Sequence, residues 1–217
     1  MKAEAPAPKS DAAHAPSGYG WICGLDEAGR GPLAGPVCAA AVVLGDDFPF
    51  GLLRDSKKLT PAQREKAMVA IYQKSLAWGI GWASPEEIDT INILRASLLA
   101  MERAFAYIPA QLVSEAIADG LYAPRLPIGC SALVKADDTV PAVMAASILA
   151  KTARDRMMER YSFIYPEYAY EKHKGYPTKL HCQRIALYGP SPIQRKTFRV
   201  PLSEAWDGPE PKGPTCG

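Results

Sequence analysis

The sequence predicts an α/β fold: one mixed β-sheet flanked by helices, with a C-terminal helical segment. Three observations predict it. Apolar, β-branched runs alternate with stretches of helical periodicity in the order strand, strand, helix, strand, helix, strand, strand, helix. Two capping boxes, each with proline at the first helical position, mark helix starts between those runs. The 217 residues, 48% hydrophobic and 22% charged, suffice for one domain with a sizeable core and exclude a wholly disordered, collagen-like or coiled-coil chain.

Taken in order, residues 1–18 carry Pro6, Pro8 and Pro16 among small residues, and residues 206–217 carry Pro209, Pro211 and Pro214. Both ends are expected to be disordered tails around a single domain at 19–205. Residues 21–26 and 37–44 are apolar enough for strands, and Gly29-Arg30-Gly31-Pro32 between them predicts a hairpin with a wide loop. Thr60-Pro61 followed by Gln63 starts a helix at Pro61, with Ala67, Ile71 and Leu76 continuing its apolar face. Residues 76–83 read as a third strand. Ser84-Pro85-Glu86-Glu87 then opens a helical region in which Ile93, Leu94, Leu98, Met101 and Phe105 recur at helical spacing. Residues 111–118 and 128–134 are two further strands, ending near Asp119 and Asp137. Residues 143–158 form another helix, apolar first and basic later.

Cys23, Cys38, Cys130, Cys182 and Cys216 lack the close pairing that zinc ribbons and thioredoxin-like sites require, so free thiols in a reducing compartment are expected. The first eighteen residues hold no signal-peptide core, and no run approaches the ~20 apolar residues of a membrane span. A soluble cytoplasmic protein without membrane partners, acting as a monomer, is the expectation. The net charge of +2 is too small to indicate nucleic acid by itself. Its distribution is polarised: residues 151–199 hold eleven Lys/Arg and four Asp/Glu, a local +7, which leaves −5 for the remainder.

Among 23 acids in 217 residues, about two adjacent acidic pairs arise by chance, and the chain has four. Asp46-Asp47 follows Gly45 in a turn, and Glu86-Glu87 suits the first turn of a helix. Asp26-Glu27 and Asp119 differ, because each terminates an apolar strand. Carboxylates gathered at strand ends without His or Cys partners suit hard divalent cations such as Mg²⁺, and permit two-metal in-line displacement at phosphorus. Consecutive strand residues face opposite ways, so Asp26 and Glu27 serve one site only if the strand ends or bends there.

Glycines flanking Arg30 allow close approach of a ligand to the backbone while the guanidinium meets a phosphate; an isolated Gly-Arg-Gly also fits an ordinary hairpin connection. Asp55-Ser56-Lys57-Lys58-Leu59 is either a plain loop before a helix or a phosphate contact through its lysines. His173-Lys174-Gly175-Tyr176-Pro177-Thr178 sets a tyrosine among cations, after Tyr161, Phe163, Tyr165, Tyr168 and Tyr170. Such interleaving suits stacking beside phosphate contacts, although most of these aromatics read as core. His173 and His181 read as surface or capping residues, and zinc is disfavoured.

Gly24-Leu25-Asp26-Glu27-Ala28-Gly29-Arg30-Gly31-Pro32-Leu33, the Asp55–Leu59 run, Ala118-Asp119-Gly120, Ala145-Ala146-Ser147-Ile148-Leu149-Ala150-Lys151 and the His173–Thr178 run resemble, in order and spacing, the motifs of bacterial ribonuclease HII, a type 2 ribonuclease H family. The resemblance covers about residues 22–200. It implies a ribonuclease H-like catalytic domain whose C-terminal helical segment, about 151–200, binds nucleic acid. It further implies an endoribonuclease that hydrolyses the RNA strand of RNA–DNA hybrids. The family also cleaves 5′ to single ribonucleotides in duplex DNA, leaving 3′-hydroxyl and 5′-phosphate ends, as ribonucleotide removal in replication and repair requires. By position, the family's catalytic and metal-binding carboxylates fall on Asp26, Glu27, Asp119 and Asp137, with Mn²⁺ or Mg²⁺ as cofactor. Its 2′-hydroxyl-reading loop falls on Gly29, Arg30 and Gly31, and its junction-sensing tyrosine on Tyr176. Leu121 stands where the family usually has Asn, and Ala136 where it usually has Gly. A second reading, a non-catalytic hybrid-binding module on the same fold, requires loss of metal binding, yet all four carboxylates are present.

Overall fold

β1 (Trp21–Ala28) and β2 (Val37–Leu44) form an antiparallel pair, and the eight residues of β2, VCAAAVVL, are all buried. A continuous apolar strand of this kind is covered on both faces. Its alternate residues belong to two different cores: Ala39, Ala41 and Val43 to one, Cys38, Ala40 and Val42 to the other. The computed structural model describes residues 20–53 and 59–201. The expected tails, Cys216 and the stretch from Asp55 to Lys58 lie outside the described residues.

The single sheet has the order β3-β2-β1-β4-β5, with β3 (Ser75–Ala83) antiparallel to β2. β4 (Val113–Asp119) runs parallel to β1, and β5 (Cys130–Leu133) parallel to β4. This is the expected mixed sheet. One face carries α3 (Ile93–Phe105); the other carries α1 (Pro61–Lys74) and α4 (Pro141–Ile164). Glycine sets how closely the helices approach. A Cβ on Gly81 would lie 2.1 Å from the Ala100 carbonyl oxygen of α3, and one on Gly24 would lie 2.1 Å from the Ala142 carbonyl carbon of α4.

Both expected capping boxes are present, at Thr60 with Gln63 and at Ser84 with Glu87. The region after Ser84 is two helices, not one: α2 (Pro85–Ile91) stops at Asn92, whose φ of 67° breaks the helix while its side chain accepts the Arg95 N–H and caps α3. Leu76, expected on the apolar face of α1, lies in β3, because α1 ends at Lys74. α4 is longer than residues 143–158, beginning at Pro141 in the first-turn position that suits proline. Position 151 therefore falls inside a core helix and marks no boundary.

After α4 come α5 (Tyr170–His173), α6 (Lys179–Tyr188) and a segment with turns that returns to the β1–β2 connection, where Gln194 bridges to Ala34. Tyr168 and Tyr170 are core residues, as expected. His173 and His181 are not surface residues: both are buried, stacked at 4.4 Å between ring centroids. Backbone groups hold both rings, since His173 contacts the Tyr168 carbonyl and the Gly175 N–H and His181 Nδ1 the Tyr176 carbonyl, while His181 Nε2 is buried without a hydrogen-bond partner among the described residues. Among the described residues, Cys23, Cys38, Cys130 and Cys182 are free thiols, and no helix is long and apolar enough to cross a membrane.

Gly81→Ala is expected to destabilise the protein by about 1–3 kcal/mol, because the new methyl meets helix backbone that cannot rotate away. Gly51→Ala, with nothing within 4 Å of its Cβ, is the control and should stay within about 0.5 kcal/mol of wild type in urea denaturation.

Candidate active site

Ala118 of β4 lies opposite Leu25 of parallel β1, so the next residues, Asp119 and Asp26, end up side by side where ligands gather in α/β sheets. Asp26 pairs with Ala40 and shares its face, the one covered by α4, whose Ser147 hydroxyl hydrogen-bonds the carboxylate. An Asp26 oxygen also accepts the Glu27 N–H at 2.7 Å. Burial pushes the Asp26 pKa well above the usual carboxylate range, and the charges of Glu27 and Asp119 push it further.

β1 neither ends nor bulges between Asp26 and Glu27; its ladder with β2 continues through Ala28. Glu27 nevertheless joins the same electrostatic group, beyond the last pair of β1 with β4: its charge raises the Asp26 pKa, and that of Asp119 raises its own. One Glu27 oxygen accepts from Arg30 at 3.0 Å, and the other is buried without a hydrogen-bond partner among the described residues. Burial raises the Glu27 pKa, against the pull of Arg30.

Asp119 accepts the Ala136 N–H at 2.8 Å, which ties β4 to the helical turn Ala136–Asp138. Asp137 lies buried in that turn, which begins after Lys135 in a left-handed conformation. Asp26, Glu27 and Asp119 thus form one repelling group, and Asp137 lies in the turn that Asp119 holds. Among the described residues, no three His, Cys, Asp or Glu side chains converge closely enough to hold an ion as they stand. Local donors already occupy one oxygen each of Asp26, Glu27 and Asp119. All-oxygen donors, mutual repulsion and an unpartnered buried carboxylate oxygen nonetheless fit a hard divalent cation.

A cleft of about 420 Å³ opens beside Glu27, the one of the four acids that lines it, together with Gly31, Arg64, Ser147, Lys151 and Tyr176 among others. Its two loop glycines have different reasons to be glycine. Gly29 has φ +101°, and a Cβ there would sit 2.0 Å from the Arg154 Nε. Gly31 has only the Tyr176 ring edge nearby, at 3.7 Å, so the space its hydrogen leaves belongs to the cleft. Tyr176 is 39% exposed, with the Lys151 ammonium 5.6 Å from its ring centroid.

Arg64, Ser147 and Lys151 were not predicted as site residues. Ser147 and Lys151 stand four apart on α4, hence on one face, and Ser147 as the one polar residue between Pro141 and Ala150 of that helix is the available signal. Arg64 carried none beyond its charge. The cleft therefore combines cations that can meet phosphates, the Glu27 carboxylate of the acidic group, and an aromatic face beside a glycine.

Known proteins share this arrangement of sheet and helices. A ribonuclease H2 from Pyrococcus horikoshii OT3 superposes with a TM-score of 0.66 at 28% identity, covering 85% of this chain and 96% of that one. Bst-RNase HIII, solved in complex with Mn²⁺, gives 0.65 at 18% identity over 87% of this chain and 70% of that one, a likeness of fold. The Ribonuclease HII of Treponema denticola is 57% identical over 195 residues, covering 82% of this chain and 98% of the relative. That of Janthinobacterium sp. is 50% identical, covering 82% and 84%. The sequence model described as Ribonuclease HII matches residues 23–201. With the acids, glycine loop and tyrosine in their expected order on the expected fold, the chain belongs to the ribonuclease HII family, metal-dependent endonucleases of the ribonuclease H type.

Proposed function

We propose that this ribonuclease hydrolyses the RNA strand of RNA–DNA hybrids and cuts 5′ to single ribonucleotides in duplex DNA, using Mg²⁺ or Mn²⁺ held by Asp26, Glu27, Asp119 and Asp137. The observation that carries the reading is the group of mutually repelling carboxylates at adjacent strand ends, beside a cleft rimmed by cations and flanked by a glycine loop. Bound divalent cations supply charge neutralisation and Lewis acidity for in-line attack of water on phosphorus, leaving a 3′-hydroxyl and a 5′-phosphate. Ser147 orients Asp26 for this task. Arg30 pairs with Glu27, so engagement of a phosphate by Arg30 frees the carboxylate oxygen that faced it. Lys151 and Arg64 meet backbone phosphates at the cleft wall. Gly31 admits the sugar, the 2′-hydroxyl alone separating ribose from deoxyribose, and Tyr176 stacks on its neighbour. The four free thiols support a reducing cytoplasmic setting, with the protein acting as a monomer.

The decisive experiment incubates the protein with Mg²⁺ or Mn²⁺ and a duplex holding one ribonucleotide, beside an all-DNA control. Incision at the ribonucleotide alone is expected; binding without incision would favour the non-catalytic module instead.

Asp26→Asn should lower cleavage to below about one-hundredth of wild type, since even groups that merely support metal ligands matter by 10–100-fold. Its melting temperature without metal should rise, because one member of a repelling buried group loses its charge. Near wild-type turnover in the folded variant removes Asp26 from the mechanism.

Tyr176→Ala should slow incision at a single ribonucleotide roughly five- to 150-fold, the equivalent of about 1–3 kcal/mol of stacking. Gly31→Val should be slower still, because its side chain fills the cleft. Paired rates on a single-ribonucleotide duplex and an all-RNA hybrid strand check both.

Lys151→Ala should reduce the slope of log affinity against log salt by about one, the signature of a single lost phosphate contact. An unchanged slope in a binding titration would move Lys151 off the phosphate path.

A further inference from the structure

Two arginines are buried without an acidic partner in hydrogen-bonding reach among the described residues. Arg154 is 1% exposed and Arg195 fully buried, and the guanidinium groups of both donate to backbone carbonyls. Arg195 serves Gly29 at 2.6 Å, Arg30 at 3.0 Å and Gly35 at 2.9 Å. Arg154 serves Ala34, Pro36 and, across the cleft base, Lys174. The connection between β1 and β2 is thus held from outside, by side chains far along the sequence. Burial and the charge of Arg154 lower the Arg195 pKa to about 9, which leaves it protonated at neutral pH. Keeping two like charges dry is costly unless each donor is matched, and here the matching groups are the carbonyls of the β1–β2 loop and of Lys174.

The orientation has a geometric consequence. No peptide bond among the described residues is cis, and in a trans peptide the C=O and the following N–H point in opposite directions. Carbonyls of Gly29 and Arg30 that face the buried guanidinium turn the N–H groups of Arg30 and Gly31 away from it. Those two residues are exposed and line the cleft. Neither N–H donates to a backbone carbonyl among the described residues. Consecutive free N–H groups make a small nest for an acceptor oxygen.

We propose that Arg195 is a positioning residue for ribose recognition: by holding the Gly29 and Arg30 carbonyls on the buried side, it presents the Arg30 and Gly31 N–H groups to the 2′-hydroxyl oxygen. The inference rests on residues 29–31 being the ribose-reading loop. Arg195 is itself anchored. Its own N–H donates to the Leu33 carbonyl, its guanidinium lies 5.0 Å from the Phe198 ring centroid, and Asp89 of α2 accepts the N–H groups of Lys196 and Thr197, both at 2.9 Å. Asp89 is therefore a remote tether of the same loop.

The test compares wild type, Arg195→Lys, Asp89→Ala and Gly31→Val by kcat/KM on a single-ribonucleotide duplex, affinity for an all-DNA duplex of the same sequence, and melting temperature. One ammonium cannot match three carbonyls in the planar geometry of a guanidinium. Arg195→Lys should lose about tenfold or more in kcat/KM, the consequence of one misplaced hydrogen bond to substrate, while all-DNA affinity stays within about twofold. Asp89→Ala should move in the same direction by less. A parallel fall of kcat/KM and all-DNA affinity would show a merely structural role and overturn the proposal. So would wild-type kcat/KM in Arg195→Lys alongside a defective Gly31→Val, an outcome that leaves the loop's own role intact. Wild-type kcat/KM in Gly31→Val would remove the loop reading and this inference with it. If Arg195→Lys does not fold, Asp89→Ala decides by the same criteria.

Discussion

The close contact of α4 with β1 is the constraint on which the rest depends. Gly24 removes the side chain that would hold the helix off, since any Cβ there would collide with the backbone at Ala142. One helix can then be core and site at once. Ala145, Ala146, Ile148 and Leu149 pack on the sheet, while Ser147, Lys151, Arg154 and Met158 run down a second face toward the acids, the cleft and the loop. A wider spacing would leave Asp26 without its Ser147 hydrogen bond and Gly29 without the guanidinium that fills its missing side chain.

The acids show what a rigid frame is for. Buried carboxylates left to themselves separate or take up protons, and the raised pKa values of Asp26 and Glu27 reflect that tendency. They stay together because the register of β1 and β4 places Asp26 and Asp119 at neighbouring strand ends, and because backbone donors at Glu27 and Ala136 occupy one oxygen of each aspartate. Arg30 does the same for Glu27 with a mobile charge. An exposed guanidinium is easily recruited by a phosphate, so the pair tethering Glu27 is the one best suited to exchange.

Much of this was legible in the residues themselves. Strand runs and capping boxes carry local signals, so the order of elements follows from them. Asp26 and Asp119 stood out because an acid ends an apolar strand in each case. What was not legible depends on register and long-range packing. The sequence offers no reason for Asn92 to split one helical region until its positive φ is seen, nor for His173 and His181 to stack in the interior. Gly29 and Gly31 look equivalent in the motif, yet one accommodates a protein side chain and the other the cleft. Arg195 reads as one more cation in a basic stretch, because its partners are carbonyls some 160 residues away.

That separation bears on the order in which the protein is made. The hairpin of β1 and β2 is synthesised before the helices that bury it. The guanidinium that sets the Gly29–Gly31 backbone arrives 166 residues after Gly29, on a strap that must cross the finished domain to dock. Long-range contacts of this kind form late in folding. A nascent chain can thus complete its sheet and place its acids before the guanidinium that fixes the Gly29 and Arg30 carbonyls exists, so the conformation of that loop is set after the frame around it.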